Sequence, residues 1–128
     1  MDKDKLSRNL REKLKSFNLY SEADLVFVNV EKNNIHINYS SSSDSKECNQ
    51  YFELGIMGGA CNIYSLYIEE GKEYRSLLAD IIEKFCYEEF NCRIFTTIPS
   101  NISKRDGFWE KKGFRYLNAI VVEKVLSR

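Results

Sequence analysis

Metal and redox chemistry in a small protein depends first on cysteine and histidine, and this chain of 128 residues has four of the first and one of the second. Cys48, Cys61, Cys86 and Cys92 show no Cys-x-x-Cys spacing, and His36 has no second histidine to join it, so a zinc site would have to be gathered from scattered positions. The thiols read better as small buried apolar groups, kept reduced inside a cell. A more pointed stretch is FWEKKGF, residues 108–114, which sets the single tryptophan, Trp109, beside a charged turn and a glycine. Such a segment either ends a helix at Gly113 and returns Phe114 to the core, or walls a ligand site with Trp109.

Composition narrows the function classes. The formal net charge is +0, which argues against a partner bound mainly through its phosphate backbone. No apolar run reaches the length of a membrane span, and MDKDKLSRNLREKLKSF lacks the apolar centre of a signal peptide, so a cytoplasmic protein is expected. At 43% hydrophobic and 13% aromatic the chain can bury a core, and its length suits one domain over residues 1–128. Abundant Lys, Asn, Ile and Tyr point to an AT-rich genome, such as that of a low-GC bacterium or its phage.

The elements that must position residues 108–114 follow from hydrophobic period. Residues 1–17 form an amphipathic helix, with Leu6, Leu10 and Leu14 at i+4 and Phe17 extending the stripe. The other faces are basic, but so narrow a stripe is expected to pack on its own domain rather than on membrane or RNA. Val26, Val28 and Val30, then Ile35, Ile37 and Tyr39, alternate as a hairpin around EKNN, with Asn33 and Asn34 suited to positive φ. His36 then lies on the face opposite Ile35 and Ile37, as an ordinary surface histidine.

After a polar serine-rich loop, YFELGIM is a third strand, broken by Gly58 and Gly59. ACNIYSLYIEE is a fourth, apolar on both faces as in a central strand. Leu77, Leu78, Ile81, Ile82, Phe85 and Cys86 then mark a core helix. CRIFTTI is a strand stopped by Pro99. Asn101 or Ser103 is suited to cap a helix through Trp109, and FRYLNAIVVEKVL supplies a last strand or strand pair. The fold class is mixed α/β on one sheet.

Residues 63–126 resemble the GNAT superfamily of N-acetyltransferases. The resemblance rests on the strand IYSLYIEE running through a turn into an amphipathic helix, on TTIPSN, and on WEKKGF, which matches that family's aromatic-E-K-x-G-F signature. It implies a single, mostly antiparallel, twisted sheet flanked by helices, with acetyl-CoA lying in a splay between two strands. Leu66, Tyr67 and Ile68 would face the pantetheine arm. The turn and helix start after them would hold the pyrophosphate through backbone N–H groups, with Lys72, Tyr74, Arg75 and Ser76 beside it. Gly71 is the one glycine where the family's loop has more. Asn101 and Trp109 would complete the cofactor site.

The family's tyrosine acid corresponds here to Trp109, whose indole N–H cannot protonate a thiolate. Tyr116 is the first substitute, with Tyr64 and Tyr67 as others, and Glu69 or Glu70 would be the general base. The resemblance thus implies acetyl transfer to an amine. The alternative is a GNAT-like domain without catalysis that binds a protein partner, such as a phage or mobile-element accessory factor, and the sequence leaves a homodimer open. No metal is called for.

Overall fold

A computed structural model describes residues 2–19, 24–41, 50–68 and 72–126. The chain opens on α1 (Lys3–Ser16), whose cap is Asp2: its carboxylate accepts from the Asp4 N–H at 3.0 Å and the Lys5 N–H at 3.2 Å. Leu6, Leu10 and Leu14 are buried as their spacing requires. The stripe does not continue through Phe17, which sits at the C-cap and is 47% exposed. Asn18 turns the chain with φ 60°, and Leu19 takes the buried place, its N–H donating to the Leu14 carbonyl at 2.8 Å.

Four antiparallel strands follow as a meander: β1 (Leu25–Glu31), β2 (Asn34–Ser40), β3 (Gln50–Met57) and β4 (Ala60–Ile68). Helix α2 (Lys72–Phe90) then crosses over to β5 (Ile94–Thr97), which lies parallel to β4. Two short helices, α3 (Asn101–Asp106) and α4 (Phe108–Lys111), lead to β6 (Arg115–Tyr116) and β7 (Val122–Val125). The sheet order is β1-β2-β3-β4-β5-β7-β6, with every described pairing except β4–β5 antiparallel. The fold is therefore the mixed α/β architecture expected, one mostly antiparallel sheet flanked by helices.

The core lies between one face of the sheet and α1 with α2, and Ile37, Tyr39, Phe52, Leu54, Leu78, Ile82, Phe85 and Phe95 form its centre. Salt bridges tie the elements: Lys13 of α1 to Glu88 of α2 at 2.9 Å within the helix layer, and Lys124 of β7 to Glu83 of α2 at 2.6 Å between the layers. Cys61, Cys86 and Cys92 are free thiols wholly inside this core. A hydrogen bond with Cys61, together with burial, holds the Cys86 thiol well above its ordinary range, and burial pushes Cys92 up to about 12. Cys48 lies outside the described residues.

Four further expectations need correction. In the β1–β2 turn the positive φ falls on Lys32, at 49°, not on Asn33 or Asn34. The cap of α3 is Ser100, one residue before Asn101, and its hydroxyl accepts from the Ser103 N–H at 3.2 Å. The last helix is two helices, because Gly107 takes φ 66° and redirects the chain between Asp106 and Phe108. Finally, β4 is not covered on both sides. Tyr64 is 51% exposed and Tyr67 43%, and Phe27 and Met57 are also open on the outer face of the meander.

Candidate functional site

The site begins where β4 and β5 part. They pair over four positions, from Ala60↔Ile94 to Ile63↔Thr97. The Thr97 hydroxyl donates to the Ile63 carbonyl at 2.8 Å, which closes the last rung. Immediately beyond, the β3–β4 register shifts: Leu54 opposes Ile63 and Glu53 opposes Ser65, leaving Tyr64 as an extra residue. Such a bulge bends its strand. On the other side Pro99 has no N–H to offer a ladder, and β5 has already ended at Thr97. A bend in β4 and a stop in β5 at one level open a wedge.

The wedge is a cleft of about 490 Å³, within the range of small-molecule sites. Leu66, Tyr67 and Ile68 form the β4 wall, past its last β5 partner. Ser100, Ile102 and Ser103 of the α3 segment form the other. Trp109 closes the floor: it is buried, with Phe108 at 4.9 Å and Phe114 at 5.0 Å, both rings edge-on. Phe114 returns to the core after Gly113 as the first reading of residues 108–114 has it, and the indole of Trp109 packs in the core while it also lines the cleft. Tyr51 and Tyr64 stand at the mouth on the outer face.

Arg75 of α2 also lines the cleft, but it is not held out as a bare cation. Its Nη2 donates to Asp106 at 2.7 Å, and its guanidinium lies 4.1 Å over the Phe108 ring. The Arg75 Nε is buried without a hydrogen-bond partner. Asp106 has a second role, its other oxygen accepting from the Phe108 N–H at 3.0 Å. Ser76 is engaged behind the cleft, where the Lys112 ammonium donates to its hydroxyl at 2.9 Å and also pairs with Asp80. These interactions clamp α4 onto the first turns of α2.

The anticipated residues are thus gathered in part. Leu66, Tyr67, Ile68, Arg75 and Trp109 meet at the cleft. Tyr74 is exposed on α2 and Asn101 is exposed at the start of α3, and neither lines it. Tyr116 stands in β6 beside Gly113, Leu117 and Glu123, in a separate depression. Glu69, Glu70 and Gly71 lie outside the described residues, as does the side chain of Lys72. Sequence reasoning missed Tyr51, Ser103 and Asp106. The Asp-Gly pair at 106–107 was a usable signal, since it marks a chain reversal inside an apparent helix.

The same architecture occurs in solved acetyltransferases. An acetyltransferase from Bacillus cereus ATCC 14579 superposes with a TM-score of 0.59 at 15% identity, covering 96% of this chain and 91% of that one. The Campylobacter jejuni N-acetyltransferase PseH in complex with acetyl coenzyme A gives 0.54 at 14% identity, with 99% and 84% covered. Tetrahymena GCN5 gives 0.53 at 12%, with 98% and 84% covered. No family model and no curated protein matches the chain in sequence. The fold is that of the GNAT acetyltransferases.

Proposed function

We propose that the chain transfers an acetyl group from acetyl-CoA to an amine in the cytoplasm. The observation that carries this is the parting of β4 and β5 at Ile63 and Thr97, with the edge of β4 left unpaired along a cleft. An unpaired strand edge can receive a chain of amides as if it were a further strand, and the pantetheine arm of CoA carries two. Leu66, Tyr67 and Ile68 would hold that arm, with the indole of Trp109 beneath it. Acetyl-CoA supplies the activated acyl group when bound. The amine nitrogen bonds to the acetyl carbon, the carbon–sulfur bond breaks, and the proton lost by the amine ends on the CoA thiol or in water.

A dedicated acid is not essential to this balance. A thiol ionises near pH 8.5, so releasing a thiolate at pH 7 costs about 2 kcal/mol relative to the thiol. Replacement of a tyrosine by Trp109 is therefore compatible with turnover, and Tyr64 and Tyr67 are phenols of β4 that line the cleft. Glu69 or Glu70, which follow β4 in sequence, would take the amine proton. No helix among the described residues is long and apolar enough to cross a membrane.

A second reading has one observation in its favour. The Arg75 charge is already met by Asp106, which puts a carboxylate in a wall where phosphates would approach. In that case the cleft receives a side chain of a protein partner and no catalysis occurs. Calorimetric titration with acetyl-CoA separates the two: micromolar binding supports the transferase, and no heat at millimolar acetyl-CoA sinks it.

A further inference from the structure

The open face of the meander carries an arrangement that packing does not require. Tyr51 and Tyr67 stack across β3 and β4 with ring centroids 5.5 Å apart. His36 and Tyr64 stack at 6.0 Å. The Tyr64 ring lies over Gly55, where an added Cβ would stand 2.7 Å from its hydroxyl, so the glycine makes room for it. Between the two ring pairs, alternation along β3 sets Glu53, which is exposed, with Asn38 and Ser65 opposite it in the neighbouring strands. Among the described residues Glu53 has no ion-pair partner. Strands β1 to β4 contain no lysine or arginine.

A carboxylate set between two aromatic pairs, on strands that carry no lysine or arginine, attracts an ammonium group, and a ring face within its reach adds to the pull. Tyr51, Tyr64 and Tyr67 also form the mouth of the cleft, so this surface is continuous with the reacting end. We propose that the outer face of β2, β3 and β4 is the acceptor subsite, and that it selects an amine whose carrier holds a second positive charge, a diamine or longer polyamine. Its role as an acceptor subsite rests on the transferase reading; its affinity for a dication does not.

The chemistry divides between the two nitrogens. The attacking amine must be neutral, whereas the distal one stays protonated at pH 7, since alkylammonium groups ionise near ~10.4. Neighbouring strands lie ~4.8 Å apart and alternate residues along a strand ~6.8 Å, which puts Glu53 on the order of 5–10 Å from the cleft mouth. A four- or five-carbon diamine has roughly that reach. An α-amino acid would bring its own carboxylate toward Glu53 and be repelled, so the same surface selects by exclusion as well as attraction.

The test uses the full chain, without acetyl-CoA at first, titrated with 1,5-diaminopentane and with 1-aminopentane while the tyrosine ring signals are followed by NMR. The diamine is expected to shift the signals of Tyr51, Tyr64 and Tyr67 and to saturate at a concentration at least tenfold lower than the monoamine. Glu53→Gln, a like-sized change at an exposed position, is expected to abolish that tenfold preference. Equal binding of the two amines, binding of neither, or an unchanged preference in Glu53→Gln overturns the proposal. A parallel acetyl-CoA titration keeps the failures apart. Cofactor binding without diamine preference overturns this inference alone, and diamine preference without cofactor binding overturns the transferase reading and leaves a dication site.

Discussion

Arg75 and Asp106 join across the cleft wall, a guanidinium from α2 and a carboxylate from the end of α3 at 2.7 Å, both largely shielded from solvent. The pair fixes the angle between the crossover helix and the segment that carries Trp109. Asp106 also holds the first N–H of α4, so one side chain sets both the ion pair and the chain reversal at Gly107.

Arg75→Ala is therefore expected to lower stability by about 2–4 kcal/mol, because it leaves a shielded carboxylate without its cation. Asp106→Asn retains an oxygen for the Phe108 N–H and should cost less. Urea denaturation of the two variants checks the order. Equal losses would show that an unmet guanidinium costs as much here as an unmet carboxylate.

Trp109 is the sole tryptophan, so its emission reports on the cleft floor without labelling. Acetyl-CoA seated against Leu66, Tyr67 and Ile68 is expected to change that emission with saturation, and unfolding to shift it to the red. Trp109→Tyr removes ring volume between Phe108 and Phe114 and buries a hydroxyl, at a cost of about 1–3 kcal/mol. A variant of unchanged stability would show that the floor collapses freely.

At Gly55 the prediction is local. Gly55→Ala places a methyl group against the Tyr64 hydroxyl, and the exposed ring is free to swing away. The expected destabilisation is below about 1 kcal/mol, and the stacking of His36 on Tyr64 should vanish from NMR spectra. In a Tyr64→Ala background the same substitution should have no effect beyond its backbone contribution, which a double-mutant cycle measures.

The buried thiols give a pH signature. Folding raises the Cys86 and Cys92 ionisation points, so the native state holds these protons more tightly than the unfolded chain. Stability is then at its plateau below pH 9 and falls as pH climbs from 9 toward the Cys92 value of about 12. In a Cys48→Ser background, a thiol reagent at neutral pH should react with the native protein only as fast as it opens. Immediate reaction of any remaining cysteine would contradict the burial.

Most of the scaffold was legible because its signals are local. The leucine spacing of α1, the wide stripe of α2 and the alternation of β1 and β2 each declare an element within a few residues. The misses share a different cause. Phe17 lost its buried place to Leu19 because Asn18 could reverse the chain, and Ser100 displaced Asn101 as a cap because Pro99 fixed the approach. The open outer face of β4 could not be foreseen, since period alone does not say on which side helices will lie. At the site, Leu66, Tyr67 and Ile68 came from the family resemblance, and the structure sets them past the last β5 partner of β4. Tyr51 and Asp106 depend on register across a loop and on the break at Gly107. Tyr116 was named as a stand-in for the family's tyrosine, a choice in which nothing says where β6 lies relative to the cleft.

The seam between Ile63 and Thr97 has a kinetic meaning as well as a spatial one. The meander from β1 to β4 is knit from neighbours in the chain, whereas β5, β6 and β7 reach it only after the long detour through α2, along four backbone pairings. Local pairings form first, so the second half is expected to dock late and to detach first. A molecule lying along the wedge would act as a strut across that joint. Its arrival should slow amide exchange in β5 and β7 more than in β1 and β2, so that occupancy becomes visible as a change in how the protein comes apart.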